Sequence, residues 1–188
     1  MSDAVSPKPR RREFWMILAL CAAPVIGSYA LYYLWKPSSL RNYGELLDPA
    51  QIEAKAGSSA APLAPLKGRW VLIMVDSADC APACQAKLWQ MRQVRLTQGK
   101  EMERVERAWL VDDGGTPSAE VLREYAGTVV VKSPSPALLG LFTAPASARD
   151  HLYLIDPLGN LMMRFPREAD PQRIRKDLGH LLKVSRIG

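Results

Sequence analysis

The chain has 188 residues, 48% apolar and 23% charged, which excludes wholesale disorder and favours one domain with attachments. Its 25 Lys and Arg against 19 Asp and Glu give +6. Residues 1–13 hold Lys8, Arg10, Arg11 and Arg12 against Asp3 and Glu13, and the +4 left for the rest is too mild for a nucleic-acid binder. Three Cys are too few for a disulfide-framework mini-protein, and two His disfavour an all-histidine metal site.

In chain order, residues 1–13 read as a basic tail and residues 14–35 as a membrane anchor. Phe14 to Trp35 is 22 residues without a charge, and about 20 in a helix cross a bilayer. Trp15 at one end and Tyr32, Tyr33 and Trp35 at the other fit an interfacial aromatic belt. Arg10, Arg11 and Arg12 just before the span place the N-terminus in the cytoplasm and the rest of the chain outside it. A cleaved signal peptide would have a shorter apolar run, and Leu20 is too bulky before Cys21 for a lipoprotein cleavage site. Cys21 then reads as an ordinary apolar helix residue. A bacterial inner membrane, with a periplasmic domain, is the expected location.

Residues 36–66 read as a linker, opened by Pro37-Ser38-Ser39 and closed by Gly57-Ser58-Ser59-Ala60-Ala61-Pro62. Within it, Asn42 to Leu47 offers an edge strand or turn. Residues 67–188 form the domain, long enough for one core. Trp70 to Val75 is a continuous apolar run, expected of a central strand covered on both faces. Past Cys80 a helix is predicted, with Ala86, Leu88, Trp89, Met91 and Val94 as its apolar stripe. Ala108 to Val111 is a second strand, stopped by Asp112-Asp113-Gly114-Gly115. Thr116 or Ser118 caps a helix running to about Tyr125, and Thr128 to Val131 is a third strand. His151–Asp156 and Leu161–Phe165 flank a Pro157-Leu158-Gly159-Asn160 turn as a hairpin. Asp170-Pro171 opens a last helix with Ile174, Leu178, Leu181 and Leu182 at helical spacing. The order β-α-β-α-β-β-α behind one N-terminal transmembrane helix is an α/β class, a thioredoxin-like sandwich.

Cys80-Ala81-Pro82-Ala83-Cys84 follows the first core strand and opens the first domain helix. Free N–H groups and the positive end of the helix dipole favour thiolate there, and Pro82 suits a first helical turn. Four residues apart, the two sulfurs can close a disulfide or clasp a soft ion such as Cu(I). A merely structural disulfide is the bland alternative. Asp76 and Asp79 read as helix-capping residues rather than tuners of the thiols. Met162 and Met163 alternate in a strand, one core and one exposed, so neither is assigned to copper. His180 reads as a solvated or packed residue of the last helix, and the run Arg173, Arg175 and Lys176 as a wetted helix face.

The anchor, the C-x-x-x-C after the first strand and the hairpin Tyr153-Leu154-Ile155-Asp156-Pro157-Leu158-Gly159-Asn160 together resemble the Sco/SenC family. The resemblance implies a membrane-anchored factor in cytochrome c oxidase assembly, binding Cu(I) or reducing a client's cysteine pair through Cys80 and Cys84. It implies a respiratory oxidase subunit or another assembly factor as partner, with no small-molecule substrate and no nucleic acid. A metallochaperone is expected before an enzyme. The chain departs from the family pattern at Gln85, where the family has Pro, and at Ala148, where it has its copper-ligating His. His151 is the substitute third ligand. A general thiol–disulfide oxidoreductase, or a non-catalytic scaffold with a structural disulfide, are the rival readings.

Overall fold

The computed structural model describes residues 11–34 and 42–185 together with Ile187. The basic tail before Arg11, Trp35 of the expected anchor and the first part of the expected linker lie outside the described residues. Two compact units divide at Arg41 and Asn42. The first holds α1 (Arg11–Leu34), 24 residues long with Pro24 inside it. About 1.5 Å of rise per residue makes it some 36 Å long, enough for the ~30 Å of a bilayer's hydrocarbon. Phe14, Leu20, Val25, Ile26, Leu31 and Tyr32 all lie exposed on it, an apolar surface that suits lipid rather than water. By length and composition α1 is the one helix among the described residues able to cross a membrane.

The second unit is a six-stranded mixed sheet: β1 (Glu45–Gln51), β2 (Trp70–Asp76), β3 (Val105–Val111), β4 (Thr128–Lys132), β5 (Leu152–Ile155) and β6 (Asn160–Arg164). Its order is β1-β6-β5-β2-β3-β4. β2, β3 and β4 run parallel, and β5, β6 and β1 continue antiparallel from the other side of β2. All seven residues of β2 are buried. Alternation sends Trp70, Leu72 and Met74 into one core cluster and Val71, Ile73 and Val75 into another, one on each face of the sheet.

The first face is covered by α3 (Pro82–Leu96) and α6 (Pro171–Val184). α6 starts at Asp170, whose carboxylate accepts from Gln172 N at 2.8 Å, and turns Ile174, Leu178 and Leu182 inward. On α3 the buried stripe is Cys84, Lys87, Leu88, Met91 and Val94. Trp89, expected inside, is 50% exposed, because the stripe set by Leu88, Met91 and Val94 turns position 89 outward and position 87 inward. At α4 (Ala119–Glu124) the cap is Ser118, which accepts from Val121 N.

The second face is covered by residues whose composition reads as linker. α2 (Ile52–Ala56) and a 3-10 segment over Gly57–Leu66 bury Ile52, Ala56, Ala60, Leu63 and Leu66, joined by Leu138 of α5 (Pro136–Leu139). Structure thus stands where a loop was expected. Small residues and prolines fit a 3-10 path, so the Ser-Ala-Pro run packs instead of tethering. The edge strand expected near Asn42–Leu47 is β1, and as an edge it tolerates Pro49.

Candidate functional site

Parallel strands present their C-terminal ends to the loops that do chemistry, and here those ends are Asp76 of β2 and Val111 of β3. Ser77 to Ala81 leave β2 and turn sharply into α3. Ser77 N donates to Asp76 Oδ1 at 2.9 Å, and Ser77 Oγ donates to the Asp79 carboxylate. Ala78 N donates to Asp113 Oδ2 at 3.1 Å, and Gly115 N donates to the other Asp113 oxygen at 2.9 Å. These two backbone donors hold the Asp113 carboxyl below the usual aspartate range. A Cβ on Gly115 would sit 2.6 Å from Ala78 Cβ, so only glycine lets the β3 loop lie this close to the cysteine loop.

Cys80 follows with φ of 42°, in the left-handed region that β-carbon residues seldom adopt. That turn brings its sulfur to Cys84 at the third position of α3, and the two form a disulfide with Cα atoms 5.0 Å apart. Both cysteines are 1% exposed, in the cluster that also holds Ala78, Leu88 and Trp109. Pro82 occupies the first turn of α3, and the cap position is Ala81, with no side-chain cap. Neither Asp76 nor Asp79 caps this helix, against the expectation. Each is engaged a turn earlier, Asp79 by Ser77 and Asp76 by a lysine. Gln85, where the family has Pro, donates from its side chain to Cys80 O at 3.1 Å and from its N–H to Ala81 O.

The lysine is Lys87, whose Nζ lies 2.6 Å from Asp76 Oδ2, both side chains almost fully buried. The same Nζ donates to the carbonyl of Arg149, in the short 3-10 segment Ala148–Asp150 before β5. Arg149 grips Asp112 with Nε and Nη2 at 2.8 and 2.7 Å, a bidentate pair that raises the arginine's pKa further. The ends of β2 and β3, the head of α3 and the loop before β5 are therefore tied together around the disulfide. Sequence reading missed Lys87, Arg149, Asp112 and Asp113. The available signal was Lys87, a charge at the inward spacing of α3. A groove of about 310 Å³ runs between Ala83, Ala86 and Gln90 of α3 and Arg149, Asp150 and Arg167 across from it.

His151 stands on extended backbone just before β5, its Nδ1 2.7 Å from Phe165 O. A carbonyl only accepts, so Nδ1 donates and the neutral ring keeps its lone pair on Nε2. The ring lines a separate groove with Tyr43, Glu45, Arg164 and Phe165. Ala148 packs against the second core cluster, not the one that contains the cysteines. Among the described residues no three His, Cys, Asp or Glu gather in a group able to hold a metal ion. Met163 is buried and Met162 half-buried, His180 lies exposed on α6, and Cys21 is an exposed free thiol on α1.

The sequence profile described as "Transmembrane-like, thioredoxin-like, C-terminal domain" matches residues 70–185. No curated protein gives a match to the chain. Among solved structures, yeast Sco1 with copper bound is 16% identical, with a TM-score of 0.54 over 80% of this chain and 96% of that one. A second structure of yeast Sco1, also 16% identical, gives 0.51 over 65% and 84%. At such identity the likeness is one of fold.

Proposed function

The chain belongs to the family of transmembrane-like, thioredoxin-like C-terminal domains, and from that membership we propose a membrane-anchored, Sco-like factor that reduces a client's cysteine pair during cytochrome c oxidase assembly. The observation that carries this reading is the Cys80–Cys84 disulfide at the head of α3. A thioredoxin-like fold sets the pair at a helix N-terminus beside the ends of its parallel strands, and the positive end of the helix dipole favours a reactive thiolate.

The reduced chain begins the cycle. One of its thiolates attacks the client disulfide, a mixed disulfide forms and one client thiolate leaves. The second cysteine then attacks the mixed disulfide, releasing the other client thiolate and closing Cys80–Cys84. Two electrons pass to the client, each client thiolate takes up a proton, and a thiol reductant from outside must restore the dithiol. The groove of about 310 Å³ along α3, lined by Ala83, Lys87 and Arg149, offers an extended client segment a bed on the helix that carries Cys84. Burial of both sulfurs supports selectivity, since only a client that docks and shifts the lip of the loop reaches them. Arg11 and Arg12 at the head of α1 support, by the positive-inside rule, a periplasmic domain.

Cu(I) binding is the second reading, favoured by one feature of His151, in the separate groove. His151 donates Nδ1–H to a backbone carbonyl, the arrangement that orients a metal-ligating imidazole through Nε2. Two thiolates of the reduced pair would supply soft ligands for the ion as cargo.

The test is made with the whole chain in cells lacking it. Wild type restores oxidase activity, and Cys80→Ser/Cys84→Ser does not. A single-serine variant accumulates as a mixed disulfide with its client, visible on a non-reducing gel. Full oxidase activity with the double variant sinks both chemical readings and leaves a scaffold. A Cu(I) titration of the reduced chain in detergent, against a competing chelator, separates the two. Tight one-to-one binding lost in His151→Ala favours cargo copper, and binding no stronger than that of the double variant favours reduction alone.

A further inference from the structure

Arg107 lies on β3, on the sheet face covered by α3, and is 5% exposed. Its Nη2 donates to Ala126 O at 2.7 Å, but Nε and Nη1 are buried with no partner among the described residues. Thr128, the direct register partner of Arg107 on β4, also has its hydroxyl oxygen buried and unpartnered. Three orphaned polar atoms therefore sit on two paired residues of adjacent strands.

A guanidinium stays charged in a protein, so it cannot escape burial by shedding its proton. Burying it without a counter-charge is costly. After burial itself, repulsion from Arg95 and Arg92 of α3 works against its charge, opposed only in part by Glu106. Arg95 spends Nε on Val105 O at 2.6 Å, and Arg92 spends Nη1 on Glu124 O at 3.2 Å. The carboxylates nearby are committed elsewhere. Glu106, the preceding residue on β3 and so on the opposite face, is paired with Arg69 at 2.5 Å, and Glu124 lies exposed on α4.

We propose that Arg107, Arg95 and Arg92, with the Thr128 hydroxyl, form a binding site for a small inorganic anion beneath α3. The orphaned nitrogens are closed to the surface, so the ligand is a diffusible ion such as chloride rather than a carboxylate carried on a partner. Bound there, the ion accepts from Nε and Nη1 of Arg107 and from the Thr128 hydroxyl, and it neutralises the cluster that α3 lays over the sheet. The site is separate from the disulfide, and its occupancy adds to stability by mass action.

The whole chain in non-ionic detergent is unfolded by heat at constant ionic strength while chloride replaces gluconate, which is too large to enter. Chloride at tenfold its dissociation constant raises Tm by about 3–6 °C, saturably. The rise is halved or less in Thr128→Val and absent in Arg107→Met. Chloride-35 line broadening provides a readout independent of stability: the folded parent broadens the line, and unfolding it or replacing Arg107 removes the excess. A Tm equal in chloride and gluconate, or a chloride response unchanged in both variants, overturns the proposal. An internal water would then satisfy the donors. If Arg107→Met does not fold, Thr128→Val and the line width of the parent decide.

Discussion

Tyr153 of β5 has no exposed surface, and its ring meets Phe142 edge-on at 5.2 Å. Its hydroxyl has only a long contact, 3.5 Å to Thr143 O. Burial, opposed in part by Arg164 and reinforced by Asp150, pushes its pKa up to about 12. The folded state therefore holds the phenol proton more tightly than the unfolded chain, whose tyrosine titrates near the ordinary value of 10. The stability this brings is fully present below pH 10 and is lost as pH rises towards 12. Holding the proton to about 12 rather than 10 is worth about 2–3 kcal/mol. Urea unfolding at pH 9 and pH 11.5 should show the parent losing on the order of 2 kcal/mol more than Tyr153→Phe. Equal losses would mean that the phenol reaches solvent before it ionises.

Lys87 joins three elements: its own helix α3, the end of β2 through Asp76, and the segment before β5 through Arg149 O. Removing the cation leaves the Asp76 carboxylate buried without a counter-charge, held only by the Ser77 N–H, a loss of about 3–5 kcal/mol expected for Lys87→Met. Asp76→Asn/Lys87→Met should recover more than half of it, since no bare charge is then left inside. Denaturant midpoints of the two variants check this, and a double variant as unstable as the single one would refute it. Lys87 also illustrates what sequence reading reaches. β2, β3, β4, the β5–β6 hairpin and both main helices were legible, because each carries an apolar pattern matched to its period, as Trp70 to Val75 does. The Cys80–Cys84 pair was legible from its place after β2. The tie through Lys87, Asp76 and Arg149 was not, since it joins residues up to 73 positions apart that only the fold brings together. Residues 52–66 were missed for another reason: Ala60 and Leu63 are core, but Ser, Pro and Gly around them carry no period.

The whole molecule couples a helix able to cross a membrane to a domain that begins at Asn42, with residues 35–41 between. On the proposed reading α1 ties the domain to the membrane that holds its client. A membrane-embedded client meets such a domain at a far higher effective concentration than it would meet a free one, by factors that reach about 10²–10⁴ for tethered pairs. The anchor then contributes through encounter, not through the chemistry of Cys80 and Cys84. A secreted form of residues 42–188 should keep its Cys80–Cys84 chemistry towards a small disulfide substrate, with a rate within about twofold of the whole chain. In cells it should need at least about ten times the protein to restore the same oxidase activity. Quantitative blotting against oxidase activity over a range of expression levels reads that ratio directly. If the secreted domain restores activity at equal abundance, the client is reached from solution, and α1 serves only to retain the protein at the membrane.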